Sequence, residues 1–174
     1  MITFMLKESD LLELFREKGL NFTIHNHDPL FTVEDSEKLR GKIDGSHTKN
    51  LFLKNKQNNF FLLTCDERAV IDLKRFSRSI GAKNLSFAKA EYLEKYMGIK
   101  PGSVSPYALL NDDQNIVEFY LDERLAKSQE INFHPLINTT TITIKTESFI
   151  NFIVENKIKI NIFSLDTYSI TGAL

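Results

Sequence analysis

The sequence predicts an α/β fold, a single domain with a mixed, mainly antiparallel central sheet surrounded by helices. Three observations carry that expectation. Two continuous apolar runs, Leu51-Phe52-Leu53 and Phe60-Phe61-Leu62-Leu63, flank the polar Asn55-Lys56-Gln57-Asn58-Asn59, the pattern of a β-hairpin covered on both faces. Segments with helical apolar spacing alternate with short β-branched or aromatic runs, and glycines close several of the helical ones. The length of 174 residues suits one domain with a real core, and 42% hydrophobic with 26% charged residues is an ordinary globular balance.

Taken in order, Ser9-Asp10 before Leu11, Leu12, Leu14 and Phe15 predicts an N-capped amphipathic helix ending near Lys18, with Gly19 as its stop. Asn21 to His25 reads as a short strand, His27-Asp28-Pro29 as a turn, and Thr32 as the N-cap of a helix from Val33 to about Leu39. Gly41 and Gly45 frame a polar loop before the hairpin strands, Thr48 to Lys54 and Asn58 to Cys65. Asp72 to Ile80 has helical spacing, Leu85-Ser86-Phe87 is a short strand, and Glu91 to Met97 is a helix that Gly98 ends. Tyr107 to Leu110 and Val117 to Leu121 flank Asn111-Asp112-Asp113-Gln114-Asn115, a second hairpin signature. Asp122 to Ala126 predicts a helical turn, Glu130 to Phe133 and Thr140 to Lys145 strands, Glu147 to Asn156 a helix, and Lys159 to Leu165 a closing strand. Asp166 to Leu174 reads as a tail.

A formal net charge of −1 argues against tight non-specific binding to long nucleic acid, DNA included, while leaving room for a local basic patch that touches one end of an RNA. Cys65 is the only cysteine, so an internal disulfide and a cysteine zinc cluster are excluded. No run of about eighteen apolar residues is present, and the N-terminus lacks a secretion pattern, so the expected setting is the reducing cytoplasm.

Gly98-Ile99-Lys100-Pro101-Gly102-Ser103-Val104-Ser105-Pro106 concentrates two of the four prolines and two of the seven glycines. Pro-Gly makes a sharp turn of type II bias and leaves neighbouring amides open to an outside group. Such a bend is either a connector or a ligand wall. Lys49, entering an apolar strand, is either a snorkelling edge residue or a cation at the sheet's end that binds a carbonyl, carboxylate or phosphate. His134, between a strand and Pro135, either satisfies loop backbone or serves a site together with Asn138 and Thr139. His25 and His27 alternate without carboxylate or thiolate partners at ligand spacing, so no metal or cofactor is expected. Ser103 and Ser105 lack the Gly-x-Ser-x-Gly elbow, and Lys74, Arg75, Arg78, Lys83 and Lys89 form a basic region that is either a solvated helix face or an RNA contact.

Together, His27-x-Pro29 with Thr32-Val33-Glu34, His47-Thr48-Lys49-Asn50-Leu51-Phe52-Leu53-Lys54, Gly98-x-x-Pro101-Gly102-Ser103-Val104-Ser105-Pro106 and Phe133-His134-Pro135-x-x-Asn138-Thr139 resemble, in order and spacing, the YbaK/aminoacyl-tRNA deacylase family. That family is related to the editing domain of prolyl-tRNA synthetases, and the closest branch looks like the free-standing ProX (PrdX) type. The resemblance covers about Leu11 to Leu165 and implies an editing domain over residues 1–165 followed by a tail, 166–174. It implies a hydrolase that removes alanine mischarged onto proline tRNA, acts on the acceptor end, needs no cofactor, and has prolyl-tRNA synthetase as a further partner. Cysteinyl-tRNA for proline is the alternative substrate, and a silent tRNA-binding module the alternative role. By the same resemblance Lys49 holds the aminoacyl ester or a terminal phosphate. Gly98, Pro101 and Val104 line the pocket, and the amides of Gly102 and Ser103 stabilise the carbonyl oxygen. His134, Asn50 and Asn138 supply polar contacts, and Thr32 and Val33 bound the amino-acid side. Water attacks with help from a ribose hydroxyl, so no protein nucleophile is needed. Tyr107 stands where relatives often have Phe.

Overall fold

The structure is a computed structural model that describes residues 5–30, 35 and 42–174. Thr32, Val33 and the helix expected to follow them lie outside the described residues.

The chain opens with α1 (Glu8–Glu17), whose Lys7 amide donates to the Asp10 carboxylate at 2.8 Å, so Asp10 caps from inside the first turn rather than preceding it. Strand β1 (Phe22–Asn26) follows, then the hairpin of β2 (Thr48–Lys54) and β3 (Phe60–Asp66) in the register Lys49↔Cys65 and Leu51↔Leu63. Every residue of β3 from Phe60 to Cys65 is buried, as continuous apolar runs require. Helix α2 (Leu73–Ser79) is capped by Asp72, which accepts from the amides of Lys74 and Arg75. Then come β4 (Ser86–Phe87), α3 (Ala90–Met97), a 3-10 helix (Pro106–Asn111), β5 (Val117–Asp122), α4 (Glu123–Ala126), β6 (Glu130–Phe133), β7 (Thr140–Lys145), α5 (Thr146–Glu155), β8 (Ile160–Ser164) and β9 (Ser169–Ala173).

Six strands form one sheet in the order β4-β2-β3-β5-β8-β9, and β1-β7-β6 form a second, antiparallel one. Five of the seven strand pairings are antiparallel, while β3-β5 and β5-β8 are parallel. Side chains alternate along β2 and β3 into two cores. Phe52, Phe60 and Leu62 join Phe119, Ile131, Phe133, Ile142 and the helices α1, α3 and α5 in the larger core, whereas Leu53, Phe61 and Leu63 pack with Phe76, Tyr120 and Phe163 on the opposite face.

Two expectations change. Tyr107 to Leu110 is not a strand. Pro106, which lacks a donor, starts a 3-10 helix capped by Ser105, and the apolar run is buried around Tyr107 rather than paired. The second hairpin therefore does not form, and β5 pairs in parallel with β3 instead. The stretch read as a tail carries β9, antiparallel to β8, with the Leu174 amide donating to Ile160. Tyr107 sits among Phe15, Phe133, Phe149 and Phe152, and its buried hydroxyl has no hydrogen-bond partner among the described residues.

The sheets are joined where the site lies. Ser46 bridges Ile131, its amide donates to Glu130 at 2.9 Å, and the Asn132 amide returns a bond to its carbonyl at 3.0 Å. Gly45 at φ 90° permits this, since a Cβ there would stand 3.2 Å from the Asn132 side-chain nitrogen. Two residues on, the Thr48 hydroxyl donates to the Asn132 carbonyl at 2.8 Å and anchors the start of β2 against β6.

Candidate active site

The bend is built as a tight turn. Gly98, at φ 64°, ends α3 in the left-handed region, and the Ser103 amide donates to Lys100 at 3.1 Å across Pro101-Gly102, with Gly102 at φ 89°. This is the hydrogen bond and the positive φ that a type II turn demands. It also corrects one expectation: the Ser103 amide is spent inside the turn. Among the described residues, the amides of Ile99, Lys100, Gly102, Val104 and Ser105 have no protein acceptor, and those of Gly102 and Val104 flank the spent Ser103 amide at the turn itself. Ser105 is extended (φ −151°, ψ 146°), as its position before Pro106 dictates. A Cβ on Gly102 would lie 3.3 Å from the Asn138 side-chain nitrogen, which in turn donates to the Leu30 carbonyl at 3.4 Å. Asn138 thus links the bend to Leu30.

Leu30 also borders a narrow polar cleft of about 40 Å³ shared with Thr48, Asn50, Asn132, His134 and Thr141. The Asn50 side-chain oxygen accepts from the Thr64 hydroxyl at 2.6 Å, which fixes the amide. His134 Nδ1 lies 2.8 Å from the Thr140 carbonyl. A carbonyl only accepts, so Nδ1 carries the proton and Nε2 keeps its lone pair. His27 stands beside it, ring centroids 5.9 Å apart, held between the Asp28 carbonyl at 2.8 Å and the Thr141 hydroxyl at 2.9 Å. Burial lowers the His134 pKa from its ordinary value; the bond to Thr140 opposes this and His27 adds to it. The cleft therefore holds a neutral imidazole able to accept from a water or hydroxyl.

A histidine whose folded pKa lies below its unfolded one loses its contribution as pH falls below the unfolded value and then through the folded one. If the ester hydrolysis that the family resemblance implies uses this neutral imidazole, its rate is expected to be flat above neutrality and to fall in acid with an apparent pKa below 6.5. His134→Asn is expected to lose roughly tenfold or more in rate and the acid limb with it. Single-turnover rates from pH 5 to 8 check this; an unchanged profile in a folded His134→Asn protein contradicts it.

Lys49 does not join the His134 cleft. It pairs with Cys65, so strand alternation puts it on the face opposite Thr48 and Asn50, and its Nζ donates to the Ala69 carbonyl. Ala69 borders a second cleft of about 380 Å³ with Asp66, Asp122, Arg124 and Asp166. Cys65 is fully buried, and burial pushes its thiol up to about 12, with Lys49 opposing and Asp122 and Asp66 reinforcing. It is an inert packing residue.

The residues missed from sequence are Asn132, Thr141 and Thr143. Asn132 interrupts apolar β6, and β7 alternates Thr141 and Thr143 against Ile142 and Ile144. His25 Nε2 lies 3.0 Å from Thr143, whose hydroxyl donates to Asn132 at 2.6 Å, and Asn132 donates to the Asp44 carbonyl at 2.8 Å. The two β1-side histidines are thus spent on threonines, and no group of metal-binding side chains occurs among the described residues. No described helix is long and apolar enough to cross a membrane.

Residues 27–152 match the aminoacyl-tRNA editing domain. The chain is 34% identical over 141 residues to the prolyl-tRNA editing protein ProX of Acetoanaerobium sticklandii, covering 80% of this chain and 86% of that protein. It is 31% identical over 159 residues to prolyl-tRNA synthetase associated domain-containing protein 1 of Danio rerio, covering 90% and 86%. A solved structure described as a candidate trans-editing enzyme for prolyl tRNA synthetase superposes with a TM-score of 0.65 at 15% identity, over 90% of this chain and 96% of that one, and shares the fold.

Proposed function

Because the chain belongs to the aminoacyl-tRNA editing domain family, and is on that ground an ester-cleaving hydrolase, we propose that its substrate is alanine misattached to proline tRNA. The observation that carries the choice of a small amino acid is the narrowness of the cleft beside His134 and Asn50, about 40 Å³ against about 380 Å³ for the cleft beside Ala69. In this reading the narrow cleft admits a methyl side chain and disfavours the bulkier pyrrolidine ring. A synthetase pocket shaped for proline discriminates against smaller alanine by only about 1–3 kcal/mol per missing methylene, so a second, smaller pocket complements it.

In this reading the aminoacyl ester lies between the Gly102 and Val104 amides and His134. Water adds to the ester carbonyl, and the developing oxyanion accepts from the free amides. The ester C–O bond breaks, the ribose oxygen takes up a proton, and free alanine and intact tRNA leave. His134 Nε2 accepts a hydrogen bond from the water or from the neighbouring ribose hydroxyl. Asn50 and Asn138 orient the substrate. Lys49 must release the Ala69 carbonyl and cross from the opposite face of β2 to reach the ester or the terminal phosphate. The setting is the cytoplasm and the further partner is prolyl-tRNA synthetase, both following from the substrate.

Cysteine is the competing side chain, since it exceeds alanine by one sulfur. Single-turnover deacylation of alanyl- and cysteinyl-tRNA for proline, run side by side, separates them. The alanyl ester is expected to clear at least tenfold faster; the reverse order overturns the assignment.

A further inference from the structure

A groove of about 1200 Å³ lies between α2, the turn joining β2 to β3, and the 81–86 segment that leads into β4. Its rim carries five cations, Lys54, Lys56, Lys74, Arg78 and Lys83, and no carboxylate is among its described lining residues. In a chain of net charge −1 this is a segregated field rather than a share of an evenly basic surface.

Lys54 bonds the Asn58 side chain at 2.8 Å and lies 4.7 Å over the Tyr92 ring, but the other four cations are unspent. Lys18, Lys89, Arg124 and Lys127 are each paired with a carboxylate elsewhere on the surface. Among the described residues, Lys56, Lys74, Arg78 and Lys83 make no ion pair. Arg75, on the same helix, turns away to stack on Tyr168 at 4.3 Å. Lys74 and Arg78 are spaced i,i+4 on one face of α2, a like-charge placement that slightly destabilises a helix by itself. The five charges sit on three elements around an open groove, so they do not converge on one small anion. They match a ligand with repeated negative charge. Beside them, Phe87 next to Ser86 is 61% exposed, and an exposed ring offers a base a stacking surface.

We propose that this groove receives the phosphate backbone of the substrate tRNA, away from its aminoacylated end. This rests on the function proposed above. Lys54 lies six residues from Thr48 along β2, so the groove is about 20 Å from the start of the strand that borders the His134 cleft. An extended polyanion held in the cleft by one end spans that distance; a small metabolite does not.

The test is binding of uncharged proline tRNA, by fluorescence anisotropy over a salt series, to the native chain and to the Lys74→Glu/Arg78→Glu/Lys83→Glu variant. The variant is expected to bind roughly 30-fold more weakly at low salt, with a salt slope flatter by about 2 to 3, close to 0.9 for each phosphate no longer neutralised. Deacylation of alanyl-tRNA falls by a similar factor, carried by KM. Lys74→Gln/Arg78→Gln/Lys83→Gln keeps the result readable if reversal impairs folding, and is expected to give a smaller loss of the same kind. Affinity within twofold of native with an unchanged slope overturns the proposal, as does unchanged tRNA binding with abolished binding to polyglutamate, which assigns the groove to an acidic protein. Because the tRNA is uncharged, this readout is independent of whether the alanyl ester is the substrate.

Discussion

Lys49→Ala is expected to lower single-turnover deacylation of alanyl-tRNA for proline by about a hundredfold to a thousandfold, the range for loss of one charge-stabilising donor at a reacting carbonyl. The fold is expected to survive. Lys49 is only half-buried and its Nζ makes one hydrogen bond, to Ala69, so about 1 kcal/mol of stability is at stake. Lys49→Arg is expected to recover little, because a planar guanidinium does not replace a point charge that must swing from one face of β2 to the other. The division between constants identifies the role. A loss in the rate constant places the ammonium on the ester, and a rise in KM places it on a phosphate. Full activity in a folded Lys49→Ala protein removes lysine from the mechanism.

Gly102→Ala is expected to cost about ten- to a hundredfold in rate with a smaller loss in stability. At φ 89° an L residue is strained by about 1 kcal/mol or more, and the new Cβ meets the Asn138 amide nitrogen at 3.3 Å. Relieving that contact moves the turn or Asn138 by a few tenths of an ångström, and oxyanion donors are sensitive to such shifts. Ser103→Ala is the contrast. Its amide closes the turn whatever its side chain, so activity is expected to stay within about threefold. Urea melts beside the rates separate strain from chemistry. A fully active Gly102→Ala protein refutes the oxyanion role of the bend.

Much of the fold was written in local pattern. The β2–β3 hairpin, α2 behind Asp72 and the α3–Gly98 stop all follow from apolar spacing and caps, and each forms where those signals lie. Tyr107 to Leu110 misled because a four-residue apolar run has no period to distinguish strand from buried 3-10 turn, and the Ser105-Pro106 start decided it. The partner of β5 is a tertiary choice that no local signal encodes, and β9 exists only through pairing with β8. At the site, the turn at Pro101-Gly102 was legible from two residues. The separation of Lys49 from Asn50 was legible in principle from the two-residue period of β2, but motif order drew them together. The spent Ser103 amide and the His25–Thr143–Asn132 chain required coordinates, since both depend on contacts across distant segments.

If the small cleft selects the substrate, this chain clears alanine, and not proline, from proline tRNA. Single-turnover hydrolysis of alanyl- and prolyl-tRNA for proline, each set against its spontaneous rate, decides the matter. The cleft of about 40 Å³ beside His134 predicts rapid loss of the alanyl ester and a prolyl ester that decays at its spontaneous rate. Equal hydrolysis of both esters, or of neither, refutes selection by this cleft.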